Sequence, residues 1–151
     1  MFKKILCPVD FSEFTDEILE YALDIARKYD SELHLIHIIP NLNYFTPYES
    51  FFTPENLVVV EKNMEAEVNR DFETLIAKMN FPVKKVIRNG TAFIEIIDYV
   101  KSESIDLVIL GTHGRSGLEH VLIGSVAEKV VRKSPCPVLT IRPKGHSFKM
   151  P

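Results

Sequence analysis

Ile105-Asp106-Leu107-Val108-Ile109-Leu110-Gly111-Thr112-His113-Gly114-Arg115-Ser116-Gly117 is the stretch that sets the architecture of this 151-residue chain. Its core, Leu107 to Leu110, is an unbroken apolar run. A strand with one face in water alternates apolar and polar residues, whereas a parallel strand covered by helices on both faces is apolar throughout. The run therefore predicts a strand over Ile105–Leu110, buried on both sides and opening into a glycine-rich loop.

The flanking sequence repeats this strand-then-helix grammar. Upstream, Lys4-Ile5-Leu6-Cys7-Pro8-Val9 reads as a first strand ending at Asp10. Ser12 is placed to cap a helix in which Phe14, Ile18, Ala22, Ile25, Ala26 and Tyr29 recur at helical spacing. Leu33 to Ile39 reads as a second strand and residues 40 to 53 as an irregular connection. Pro54 suits the first turn of a long helix, with Leu57, Val60, Met64, Val68, Phe72, Leu75 and Met79 stepping by three or four. Val83 to Ile87 is a third strand with its turn at Asn89-Gly90, and Thr91 can cap a helix carrying Phe93, Ile96, Ile97 and Val100. Downstream of the glycine loop, Gly124 to Lys133 is a fourth helix with Val126, Ala127, Val130 and Val131 turned inward, and Pro137 to Ile141 is a last strand. Five strands interleaved with four helices predict an α/β fold, an open parallel doubly wound sheet with helices on both faces. One domain is expected over residues 1–143, with 144–151 a disordered tail.

Composition narrows the function classes. Hydrophobic residues at 46% and charged residues at 26% suit an ordinary globular chain. A formal net charge of −3 argues against a nucleic-acid partner, which needs a basic face. No run approaches the ~18 apolar residues of a membrane span, and the N-terminal apolar run is too short for a signal peptide. Cys7 and Cys136 lie far apart without metal-ligand spacing, which suggests two small apolar residues in a reducing compartment. A cytoplasmic protein is expected.

In open α/β sheets, ligands bind beyond the carboxyl ends of the strands, where strand order reverses. Gly111 and Gly114 after the fourth strand would allow a backbone path that a Cβ resists, and loop N–H groups can form a concave nest for phosphate oxygens. Gly124-Ser125 would bring N–H donors, a hydroxyl and a positive helix end to one point, and Arg115 could add a charge-assisted contact. A lone glycine after a strand is more often only a turn, and a Gly-Ser helix start only a cap. It is their combination on one strand–loop–helix unit that favours an anion site. There is no Gly-Lys-Ser/Thr and no GxGxxG after the first strand, which excludes an ordinary P-loop and a dinucleotide fold.

The spacing G-x2-G-x9-G-S, formed by Gly111, Gly114, Gly124 and Ser125, resembles the nucleotide-binding signature of the ATP-binding branch of the universal stress protein family. The resemblance runs from Lys4-Ile5-Leu6-Cys7-Pro8-Val9-Asp10 to Ser134-Pro135-Cys136-Pro137-Val138-Leu139. It implies strand order 3-2-1-4-5 and an adenine-nucleotide site. Gly111, Gly114, Arg115, Gly124 and Ser125 would surround phosphates and ribose, while Pro8, Val9 and Asp10 line the adenine and ribose side. By the same resemblance Ile38 would meet adenine through its backbone, and Val126 would close the pocket. It also implies a homodimer through the last strand, Val138 to Ile141, whose apolar edge invites pairing. Residues 40–53, with Tyr44, Phe45, Tyr48, Phe51 and Phe52, depart from the family pattern and read as packing or a partner surface rather than a cover on the nucleotide.

His113 lies in the phosphate loop, where donation to a phosphate and a merely structural place weigh equally. His34 and His37 read as structural. Hydrolysis needs a base, a positioned water and usually a metal. Asp10 is the acid the sequence brings near the site, so ATP, with Mg2+ or Mn2+ held mainly by its phosphates, implies binding first. The expectation is a stress-response protein whose bound nucleotide switches its contacts with an unidentified protein partner. Slow hydrolysis involving His113 and Asp10, and a nucleotide-free dimeric scaffold, stay open as alternatives.

Overall fold

The computed structural model describes residues 1–41, 54–112 and 123–142. Along the chain the elements are β1 Lys4–Pro8, α1 Thr15–Tyr29, β2 Glu32–Ile39, α2 Pro54–Ala77, β3 Val83–Asn89, α3 Ala92–Glu103, β4 Leu107–Gly111, α4 Ser125–Lys133 and β5 Val138–Ile141. The strands form one sheet of order β3-β2-β1-β4-β5, parallel throughout. This is the α/β architecture and the strand order expected. The tail from 143 onward and the aromatic segment 42–53 lie outside the described residues.

Because side chains alternate along a strand, each strand feeds two separate cores. Ile5, Cys7, Leu33, Leu35, Leu107 and Ile109 pack on one face, against Ile18, Ala22 and Ala26 of α1 and Val68, Phe72 and Leu75 of α2. Leu6, Ile36, Val108 and Leu110 point to the other face, against Ile96 and Val100 of α3 and Ala127 and Val130 of α4. The apolar run in β4 is thus divided between two helical layers, which is why it shows no alternation.

The amino end of the sheet is closed by hydrogen bonds between distant parts of the chain. The Asp106 carboxylate accepts the N–H of Lys3 at 2.7 Å and of Lys4 at 2.9 Å, and these bonds hold its pKa below the usual carboxylate value. Ser31 Oγ donates to the Phe2 carbonyl at 2.6 Å, and Lys4 Nζ to the Glu103 carbonyl at 3.0 Å. His34 is wholly buried, its Nδ1 2.9 Å from the Tyr99 hydroxyl and its Nε2 2.9 Å from Glu32 Oε1. Burial lowers its pKa against the opposing pull of Glu32. Its structural reading holds.

Two local expectations are corrected. α1 begins at Thr15 and receives no side-chain cap from Ser12. The Asp10 carboxylate organises the turn instead, accepting the Ser12 N–H at 3.0 Å and the Thr15 hydroxyl at 3.3 Å. In α4 only Ala127 and Val130 of the four expected inward residues are buried, while Val126 and Val131 are exposed. A helix turns 100° per residue, so Val131 sits about 140° round from Val126, and neither shares the Ala127–Val130 stripe.

Candidate functional site

Beyond the carboxyl ends of the strands lies a cavity of about 360 Å³. It sits where β1 and β4 run side by side while their following helices leave to opposite faces of the sheet. Pro8 lines it from the end of β1, Val9 and Asp10 from just beyond that strand, and Ile36, His37 and Ile38 from β2. β4 contributes Leu110 and Gly111, and Thr112 follows just beyond it. The first turn of α4 contributes Gly124, Ser125, Val126 and Ala127, with Ala92 and Ile96 of α3 and Ile18 of α1 completing the wall.

Eight of the eleven residues singled out in the sequence therefore meet at one cavity: Pro8, Val9, Asp10, Ile38, Gly111, Gly124, Ser125 and Val126. The other three, His113, Gly114 and Arg115, fall outside the described residues. In the sequence His37 reads as structural, and Thr112 is not singled out. Thr112 carried a usable signal, since it directly follows the strand-ending glycine. The apolar wall was also missed, although Ile36 and Ile38, two residues apart along β2, share one face of the strand.

Gly124 works by space rather than by backbone freedom. Among the described residues the one glycine with positive φ is Gly90, at 146°. Gly124 has φ −60° and ψ 152°, open to any residue. A Cβ on Gly124 would lie 3.2 Å from the Thr112 carbonyl oxygen, because the Gly124 N–H donates to that oxygen at 2.6 Å. The expectation that Gly124 offers its own N–H to a ligand is corrected by this bond. The donors left without an intrahelical partner are those of Ser125, Val126 and Ala127, since the ladder begins with Glu128 N–H to Gly124 O. Thr112 is held on both sides, its own N–H donating to Ile141 of β5 at 2.9 Å.

The β1–α1 turn holds a residue in a strained backbone conformation. Phe11 has φ 56°, a left-handed conformation that costs a bulky residue about 1 kcal/mol or more. Its ring lies 4.8 Å from His37 and 5.1 Å, edge-on, from the fully buried Phe72. The cavity lining thus combines apolar side chains, one aspartate and a positive helix terminus. Asp10 is the only carboxylate among its described lining residues, and no cluster of His, Cys, Asp or Glu suited to a metal occurs among the described residues. Nor is any described helix long and apolar enough to cross a membrane.

Comparison with known proteins adds an independent line. The family profile "Universal stress protein family" matches residues 1–142. Universal stress protein MJ0577 of Methanocaldococcus jannaschii is 29% identical over 162 residues, covering 96% of this chain and 98% of that one. The solved structure of MJ0577 superposes with a TM-score of 0.83 at 30% identity, over 96% of this chain and 99% of its own. Universal stress protein UspA from Lactobacillus plantarum gives 0.78 at 26% identity, over 93% and 98%. A universal stress protein solved in complex with cAMP shares the fold, with TM-score 0.64 at 17% identity, over 93% and 97%.

Proposed function

The chain belongs to the universal stress protein family, and from that premise we propose that it binds an adenine nucleotide, ATP foremost, and acts as a nucleotide-dependent switch through protein contacts. The observation that carries the proposal is the convergence of Asp10, Ile38, Gly111, Gly124 and Ser125 on one cavity at the reversal of strand order. Its apolar lining suits a nucleobase, its aspartate a ribose hydroxyl, and the α4 terminus the phosphates. The cAMP complex of a relative with the same fold is in keeping with this ligand class. Asp10 already accepts from Ser12 and Thr15 and has no second carboxylate beside it among the described lining residues. Mg2+ or Mn2+ would therefore ride on the phosphates. His113, Gly114 and Arg115 complete the proposed phosphate loop. The protein is taken to work in the cytoplasm as a homodimer joined through β5, an uncharged edge strand.

Calorimetric titration with ATP tests the proposal. Wild type should bind, and Gly124→Leu should lose about a hundredfold in affinity, because its side chain must displace either the ligand or the Thr112 carbonyl. No binding by wild type, or full binding by a folded Gly124→Leu variant, would reject the site. Light scattering at micromolar concentration tests the dimer, and a monomer would refute it.

A further inference from the structure

His37 touches both chain neighbours of Asp10. Its Nδ1 lies 2.7 Å from the Val9 carbonyl oxygen, and its ring lies 4.8 Å from the ring of Phe11. A carbonyl can only accept, so Nδ1 carries the proton in this bond. Val9 is thereby tied to β2 twice, because its N–H also donates to the Ile36 carbonyl at 2.8 Å. These ties fall just where β1 stops, after Pro8, a residue with no N–H to give.

Asp10 needs such help. Phe11 stands in a left-handed conformation that its own side chain disfavours, so the turn persists only where its surroundings impose it. The His37 ring and Phe72 hold Phe11 from two directions. With the turn fixed, the carboxylate settles on the Ser12 N–H and the Thr15 hydroxyl, in the lining of the cavity. We infer that His37 is a positioning residue of the nucleotide site: it clamps Val9 and braces Phe11 so that Asp10 and the end of β1 are preset for the nucleoside half of the ligand. The inference rests on the adenine-nucleotide reading above. It assigns His37 no direct part at the phosphates, which the same reading gives to the α4 terminus.

The test compares wild type, His37→Phe and His37→Asn. Phenylalanine keeps an aromatic ring against Phe11 but cannot donate to Val9, whereas the asparagine amide offers an N–H near the position of Nδ1. His37→Phe should weaken ATP and adenosine alike, each about tenfold, leaving the ratio of the two affinities unchanged. His37→Asn keeps the donor to Val9 but gives up the ring against Phe11, so it should recover part of that loss. Unchanged affinity in His37→Phe overturns the inference. So does a His37→Asn variant as weak as His37→Phe, and so does a loss confined to ATP. Nitrogen-15 NMR of the imidazole in the ligand-free protein gives a separate reading. The Nδ1–H form supports the clamp, and the Nε2–H form rejects it. If wild type binds no nucleotide, the proposed function fails on that result alone, while the NMR reading still decides whether the clamp exists.

Discussion

At the amino end of the sheet, Asp106, Ser31, His34 and Lys4 direct their polar atoms to other parts of the chain. At the carboxyl end the same strands stop around a cavity of about 360 Å³, and the first N–H groups of α4 find no acceptor within their helix. The left-handed residues differ in the same way. Asp30 and Ser104 close α1 and α3 just before β2 and β4, where the left-handed residue ends a helix and its N–H returns to the last turn. Phe11, at the carboxyl end, ends no helix and is held by rings packed around it. The contrast teaches that one sheet divides its duties by direction. Strand starts supply stability, and strand ends, which a buried core cannot use, are left open around a cavity.

That division can be broken from either end. The largest effect expected is on binding: Gly124→Leu should cost about a hundredfold in ATP affinity, with a smaller loss in thermal midpoint because its Cβ presses on the Thr112 carbonyl. A midpoint collapse without ligand would show that the α4 terminus holds the fold as well. Tyr99→Phe comes next and should do the reverse. It strips the wholly buried His34 of its hydroxyl partner, at a cost of about 1–3 kcal/mol by denaturant titration, with ATP affinity unchanged.

Acid offers a milder probe of the same end. His34 has its folded-state pKa lowered from the ordinary 6.5, so the unfolded chain takes up the proton first. Stability should be level above that value and fall below it, by at most about 1.4 kcal/mol per pH unit for one proton. His34→Leu should flatten this limb. Asp106 acts lower on the scale. Its folded pKa lies below the ordinary 3.8, so its stabilisation is present above that value and is lost as pH falls through the folded one. Asp106→Asn should therefore cost about 1 kcal/mol near neutral pH, allowing for its partial exposure, and the gap from wild type should close in strong acid.

The smallest effect concerns the thiols. Burial, reinforced by Asp10, has Cys7 pushed up to about 12, whereas Cys136 is half-buried. A thiol reagent at mildly alkaline pH should label Cys136 in the folded protein and reach Cys7 only on unfolding. Equal rates for the two would mean that the carboxyl end opens far more readily than its packing implies.

Much of this was legible in the sequence because it depends on periodicity. Leu107 to Leu110 announced two-sided burial, and the G-S pair at 124–125 announced a helix end at the cavity. Packing and backbone conformation were not legible. Nothing in Phe11 signals a left-handed turn, since its cost is met by Phe72, sixty-one residues away in sequence. The Ser12 cap failed for the same reason: Ser12 sits in a turn held by the Asp10 carboxylate, and α1 receives no side-chain cap. His37 read as structural because its partner is a main-chain carbonyl, which leaves no trace in side-chain chemistry. Val131 was misread because nine residues of α4 hold too few turns to define a stripe securely.

Thr112 gives the division of the sheet a mechanical sense. Its N–H is fastened to the edge strand β5 and its carbonyl to the first residue of the α4 terminus. The two rigid peptide planes that meet at its Cα have only two soft torsions between them. A tilt of α4 around a ligand and a shift of β5 against a neighbour would thus turn the same pair of angles, gearing pocket and sheet edge through a single residue.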